Sequence, residues 1–206
     1  MVIRKYKLFE QKLEVNEELS KLLDMAIGTD ELEFVKFFVN KGARSTDDTL
    51  ESASWDQDIF KYLLDNNYKL NLSDQRLLDN GVQKTLIDYN KHKYILETLG
   101  HFNKQLKNEE KYKKSVDNFF KKEGSSSKAF EWAKDDKELF LYFLKEGGDY
   151  KELSKEILRE PEAQKALIDF GKDLFVRDIG FSSRLAYDPK YKKWVEMGEE
   201  FDKYNM

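Results

Sequence analysis

The segment Gln83–Asn90 (Gln-Lys-Thr-Leu-Ile-Asp-Tyr-Asn) returns 81 residues later as Gln164–Gly171 (Gln-Lys-Ala-Leu-Ile-Asp-Phe-Gly). Extended outward, residues 72–91 match 153–172 without a gap, with nine identities in 20 positions. A self-similar chain is a series of supersecondary units. None of them buries its apolar face alone, so each must stack on a neighbour. Such a chain points toward an extended binding surface rather than a single catalytic pocket.

A shorter octet recurs more often. Its copies are Val35–Gly42, Phe60–Asn67, Gln83–Asn90, Asp117–Gly124, Phe140–Gly147 and Gln164–Gly171. The starts form two triplets, with 23 to 25 residues between copies within a triplet and 34 between triplets. Each octet carries apolar residues at helical spacing and ends in Gly or Asn. Those two types most cheaply adopt the left-handed conformation of a chain that reverses after a helix. A unit of this length holds two short helices, of about 7 and 10 residues, with their turns. First helices are therefore expected at Asp48–Ser54, Ser73–Asp79, Ser127–Ala133 and Ser154–Arg159.

The fold class expected is all-α, a helical-hairpin repeat array, with a short strand allowed at Val2–Leu8. Only Pro161 and Pro189 interrupt a chain rich in helix formers. Asn16, Thr29-Asp30, Ser73 and Ser154 stand where N-caps belong, and Asp188-Pro189 opens a last helix running to about Tyr204. The organisation expected is an N-terminal segment with a capping helix over 1–28 and a repeat array over 29–178. Within the array, triplets at 30–90 and 114–171 are joined by 91–113. An irregular loop and a C-terminal capping helix fill 179–206.

Composition narrows the work such an array can do. Hydrophobic residues make up 40% and charged residues 37%, which suits an elongated array with much surface per residue. The 15 Phe and 11 Tyr supply bulky core, and disordered chains are poor in aromatics. With 40 acidic against 36 basic residues, the net charge of −4 gives no general attraction for nucleic acid or an anionic membrane. No Cys is present, so disulfides and thiolate chemistry are excluded, and a cytoplasmic setting fits. No stretch nears the roughly 18 apolar residues of a membrane span. Met1–Phe9, broken by Arg4, Lys5 and Lys7, does not read as a signal peptide.

Residues 30–43 (Asp-Glu-Leu-Glu-Phe-Val-Lys-Phe-Phe-Val-Asn-Lys-Gly-Ala) resemble the second helix of an ankyrin repeat. Residues 58–67 and 138–148 resemble the same helix, and Leu50–Ser54 and Ala129–Ala133 sit where that family has its first helix. The family's Thr-Pro-Leu-His motif is absent, and the units are about nine residues shorter than the usual repeat of about 33. The resemblance is thus to a loop-trimmed ankyrin-like solenoid. It implies protein–protein recognition, and such arrays suit a viral or phage factor that sequesters a host protein by steric occlusion.

Motifs for chemistry are scarce. His92 and His101 lack a third ligand at metal spacing and read as partly exposed helix residues, so no metal or cofactor is expected. No nucleophile elbow, phosphate-binding glycine loop or zinc-protease helix occurs. The pairs Asp47-Asp48, Asp135-Asp136 and Glu199-Glu200 read as solvated carboxylates, and a carboxylate-based hydrolase is the weakest reading. Trp55 and Trp132 read as core. The basic runs at Lys111–Lys114 and Lys190–Lys193, each with a Tyr, leave a nucleic-acid-contacting protein as the alternative. The expected partner is another protein, bound by a monomer or homodimer, and neither a membrane nor nucleic acid is favoured. The candidate contact residues are Phe181, Arg184 and Tyr187 in the least regular stretch, with Tyr191 and Trp194 in the last helix.

Overall fold

Every regular element among the described residues is helical. A computed structural model describes residues 16–204, and their side chains as far as 197. The strand allowed at Val2–Leu8 lies outside those residues. Helix α1 covers 16–28. It is followed by α2 (Leu32–Asn40), α3 (Thr49–Ala53), α4 (Gln57–Asp65), α5 (Asp74–Leu77), α6 (Asn80–Asp88) and α7 (His92–Leu99). Then come α8 (Glu110–Glu123), α9 (Ser127–Ala133), α10 (Lys137–Lys145), α11 (Lys155–Leu158), α12 (Pro161–Asp169), α13 (Asp173–Ile179) and α14 (Pro189–Tyr204). Short 3-10 turns lie at Lys104–Asn108, Tyr150–Glu152 and Ser183–Tyr187.

The helix boundaries follow from local chemistry. Ser73 caps α5 by accepting from Arg76 N at 3.3 Å, and Ser154 caps α11 by accepting from Ile157 N at 3.4 Å. Asp56 and Asp136 do the same for α4 and α10, accepting from Ile59 N at 3.0 Å and Leu139 N at 3.1 Å. Each such cap contributes about 1 kcal/mol. The residue closing each octet has positive φ: Asn67 stands at 58° and Gly171 at 77°, and Gly42, Asn90, Gly124 and Gly147 conform. One cap differs from expectation. Thr29 and Asp30 form the turn before α2, with Asp30 itself left-handed at 56°. Ser126 caps α9, which covers the expected Ser127–Ala133.

The chain divides into two compact units, the first ending at Glu109 and the second beginning at Glu110. In the first, α4 packs against α2 and α6, and α6 against α7. Leu50, Ile59, Leu63, Leu77, Leu86 and Ile95 fill its interior. In the second, α10 packs against α9 and α12, and α12 against α13. Phe130 meets Phe140 and Phe143 edge-on, with ring centroids 4.8 and 5.8 Å apart. Burying each such ring contributes roughly 1.5–3 kcal/mol. Gly148 is required here, because a Cβ at that position would lie 2.5 Å from the Phe130 ring.

The recurrence runs further than the octets. The succession α5, α6, α7, 3-10 turn, α8 is repeated as α11, α12, α13, 3-10 turn, α14. Gly100 and Gly180 both turn the chain with positive φ, and Leu106 and Leu185 are both fully buried. The tetrapeptide Lys-Tyr-Lys-Lys opens both following helices, at 111–114 and 190–193. The stretch joining the triplets is therefore a helix and a 3-10 turn, and the chain repeats that arrangement before its last helix.

One side chain in each unit fixes this succession. Gln83 and Gln164 have no exposed surface. Gln83 donates to Leu77 O at 2.7 Å and accepts from Asn103 N at 2.8 Å. Gln164 donates to Gly180 O at 3.0 Å and accepts from Ser182 N at 2.7 Å. Removing the amide strands a backbone donor and an acceptor in the interior. Gln83→Ala and Gln164→Ala should each cost about 2–4 kcal/mol in urea unfolding, with cavity and lost hydrogen bonds together. A loss comparable to an ordinary surface substitution would contradict this role.

His92 is 6% exposed, buried rather than partly exposed as its sequence context suggests. It meets Phe102 edge-on at 6.1 Å, and burial lowers its pKa below the usual 6.5. The unfolded chain therefore takes up its proton first as pH falls. Stability should be complete above about pH 6.5 and decline below it until the folded histidine also protonates. Denaturation midpoints between pH 7.5 and 5 for wild type and His92→Gln check this: the variant should lack that part of the decline.

Candidate functional site

The feature that departs most from a packed scaffold lies where α3 ends. Arg76, on α5, is only 8% exposed. Its Nε donates to Ser54 Oγ at 2.7 Å, and its Nη2 donates to Ser54 O at 2.5 Å. The guanidinium thus caps the C-terminal carbonyl end of α3. Glu51 completes the tie in the other direction, accepting from Ser73 N at 2.8 Å and Ser73 Oγ at 2.7 Å. No carboxylate among the described residues pairs with Arg76. Its charge rests instead on Trp55, with the guanidinium carbon 3.8 Å from the indole centroid.

Trp55 is 75% exposed. The expectation of a core tryptophan is corrected here. The residue stands one position past the C-cap Ser54, in the turn before Asp56, so its ring projects over α5 rather than into the stack. Trp132 does pack inside, and its Nε1 donates to Asp117 Oδ1 at 2.7 Å. Trp55 and Arg76 form one wall of a concavity of about 200 Å³, completed by Gln57, Asp79 and Gly81. Asp79 accepts from Val82 N at 3.0 Å and so caps α6 at this rim.

The second unit has a concavity of similar volume at the corresponding place, lined by Asp135, Glu160, Pro161, Glu162, Lys165 and Arg184. The residues have changed in kind. Asp135 stands where the first unit has Trp55, Ile157 where it has Arg76, and Glu162 where it has Gly81. The tryptophan–arginine pair of one copy is absent from the other, whose lining mixes three carboxylates with Lys165 and Arg184.

The contact residues expected from sequence differ in exposure. Arg184 and Tyr187 lie on the 3-10 turn Ser183–Tyr187, Arg184 exposed at the rim of the second concavity and Tyr187 87% exposed. Phe181 and Trp194 are half-buried. Tyr191 is corrected outright. It is 2% exposed, and its hydroxyl donates to Asp169 Oδ2 at 2.9 Å, so it fastens α14 to α12 and has no surface to offer. Burial works against the Asp169 charge, but Lys190, Tyr191 and Lys137 outweigh it and hold the carboxyl below its usual range.

Lys113, Lys190 and Lys192 of the basic runs are committed to carboxylates. Lys113 lies 2.7 Å from Asp117 and 2.9 Å from Asp136. Burial opposes its charge, yet the two carboxylates raise its pKa above the usual lysine value. Lys190 meets Asp169 at 2.8 Å, and Lys192 meets Glu196 at 3.3 Å. Among the described residues, no helix is long and apolar enough to cross a membrane, and no group of three metal-ligating side chains occurs.

Trp55 should carry most of the fluorescence that iodide can reach. Trp55→Phe should remove the larger part of the quenchable emission while changing stability by less than about 0.5 kcal/mol, as for other exposed positions. Unchanged quenching in that variant would contradict the exposed indole. Set against known protein families, curated proteins and solved structures, the chain matches none of them.

Proposed function

We propose that this chain is a non-enzymatic protein-binding module, a loop-trimmed ankyrin-like solenoid that sequesters a partner protein by occluding its surface. The observation that carries the reading is Trp55, three-quarters exposed and held on a guanidinium that two hydrogen bonds fix in place. Tryptophan and arginine are the residues most enriched among binding hot spots. A ring already immobilised loses little entropy when a partner covers it. The rim of a small concavity is where a partner side chain can be enclosed and dried. The recurrence of helical hairpins supports the solenoid, because α2, α4 and α6 pack in series in the first unit and α10 packs on α12 in the second.

The nucleic-acid alternative draws less support. A phosphate-binding stripe needs lysines free to release counterions, whereas Lys113, Lys190 and Lys192 are paired with carboxylates.

The test is affinity capture with the wild-type chain and with Trp55→Ala, at low and high salt and after nuclease treatment. One stoichiometric protein should stay bound at high salt, and Trp55→Ala should reduce its recovery by about tenfold or more, the scale of a hot-spot residue. Recovery that vanishes with nuclease, or that Trp55→Ala leaves intact, would overturn the reading.

A further inference from the structure

Arginine has five N–H donors in a fixed planar fork. In Arg76 the edge formed by Nε and Nη2 is occupied by Ser54. The remaining donors, on Nη1 and the rest of Nη2, have no acceptor among the described residues. The side chain is more than nine-tenths buried and lines the concavity beside Trp55. A buried cation of this kind is costly unless something shares its charge. Trp55 covers one face of the guanidinium, which leaves the outer face of the indole open to a ligand.

We propose that the Trp55–Arg76 concavity is a carboxylate site. It takes an acidic side chain of a partner protein, with the apolar residue next to that acid lying on Trp55. This rests on the protein-binding reading above and names the chemistry of the segment bound. The free fork fits a carboxylate by two parallel hydrogen bonds, the geometry in which arginine exceeds lysine. The volume of about 200 Å³ admits one side chain, not a folded element. Gly81 keeps that space open: a Cβ there would come 2.7 Å from Gln57 Nε2. Asp79 lines the same concavity and opposes an incoming anion. It therefore sets affinity downward without removing the fork, and it selects against anions that cannot reach Arg76.

The first unit alone has this chemistry. In the second, the apolar Ile157 replaces the arginine and Glu162 replaces the glycine. The two concavities therefore differ in kind: the second sets Lys165 and Arg184 among three carboxylates, with Lys165 already paired to Glu162 and Asp188.

The experiment is a titration of the full-length, nitrogen-15-labelled chain, reading the Trp55 indole N–H and the Arg76 Nε–H resonances. The probes are the blocked dipeptides acetyl-Glu-Phe-amide and acetyl-Gln-Phe-amide, with acetyl-Gly-Phe bearing a free C-terminal carboxylate and inorganic phosphate as further arms. The Glu peptide should shift both resonances to saturation and bind at least about tenfold more tightly than the Gln peptide. Asp79→Asn, which keeps a capping side chain, should tighten it several-fold. Arg76→Lys should weaken it about tenfold. Should that variant fail to fold, Gly81→Leu fills the concavity while leaving Arg76 in place, and it should abolish the shifts. Equal binding of the Gln peptide, or no saturation with any probe, would overturn the proposal. Saturation by the free C-terminus or phosphate but not by the Glu side chain would overturn the acidic-side-chain assignment. Partner capture that still depends on Trp55 without carboxylate binding sinks this inference alone. Carboxylate binding with capture indifferent to Trp55 sinks the protein-binding reading instead.

Discussion

A neutral amide buried without exposure holds each half of this protein together. Gln83 and Gln164 each use both ends of the side chain, one as donor and one as acceptor, on backbone groups that helices and sheets cannot reach. The acceptor end does the same job in both units: it receives the N–H of the residue that opens a 3-10 turn, Asn103 or Ser182. The donor end differs, reaching back to Leu77 in one case and forward to Gly180 in the other. One residue further along, Lys84 pairs with Glu109 and Lys165 with Asp188. The second helix thereby fixes both the start of the 3-10 turn and its end. Everything downstream, including where the following long helix begins, depends on that pair of ties.

The duplication separates what the scaffold requires from what it tolerates. Leucine, glutamine, lysine and aspartate recur at matched positions because the interior and its ties demand them. Asp56 and Asp136 recur because both helices that follow need a cap. Trp55, Arg76 and Gly81 do not recur, and all three face one concavity. A residue whose counterpart has changed from Ile to Arg is not there for packing. The arginine is accommodated only because Ser54, a buried serine at a helix end, offers it both a hydroxyl and a carbonyl. The second unit has Lys134 at the serine position, paired with Glu131 instead.

Local chemistry made much of this fold legible in the sequence. Octets ending in Gly or Asn marked the left-handed turns, since only the residue type and its immediate position matter there. First helices were expected at 48–54, 73–79, 127–133 and 154–159, and α3, α5, α9 and α11 lie within those ranges for the same reason. What depended on distant partners was not legible. Trp55 stands near the junction between paired helices and looks like core, but the turn after α3 swings it outward. Arg76 is buried by Ser54, 22 residues earlier. Tyr191 looked like part of an aromatic and basic surface until Asp169 drew its hydroxyl inward. The third part of the recurrence hid because a 3-10 turn has no strong periodicity. The signal was present all the same in the shared Lys-Tyr-Lys-Lys.

Several lysines of this chain are paired with carboxylates within it, and the buried Arg76 is not. Lys113, Lys137, Lys165 and Lys190 each meet at least one carboxylate. The chain has carboxylates to spare, 40 acidic residues against 36 basic. Yet the more deeply buried Arg76 has none. Ile157 shows that the position accepts an apolar residue in the same local structure, so the fold does not need the charge. Stacking on Trp55 and bonding to Ser54 offset the desolvation of the guanidinium without neutralising it. Arg76 is therefore held as a cation in a low-dielectric wall, where an incoming carboxylate gains more than it would from any lysine on the surface.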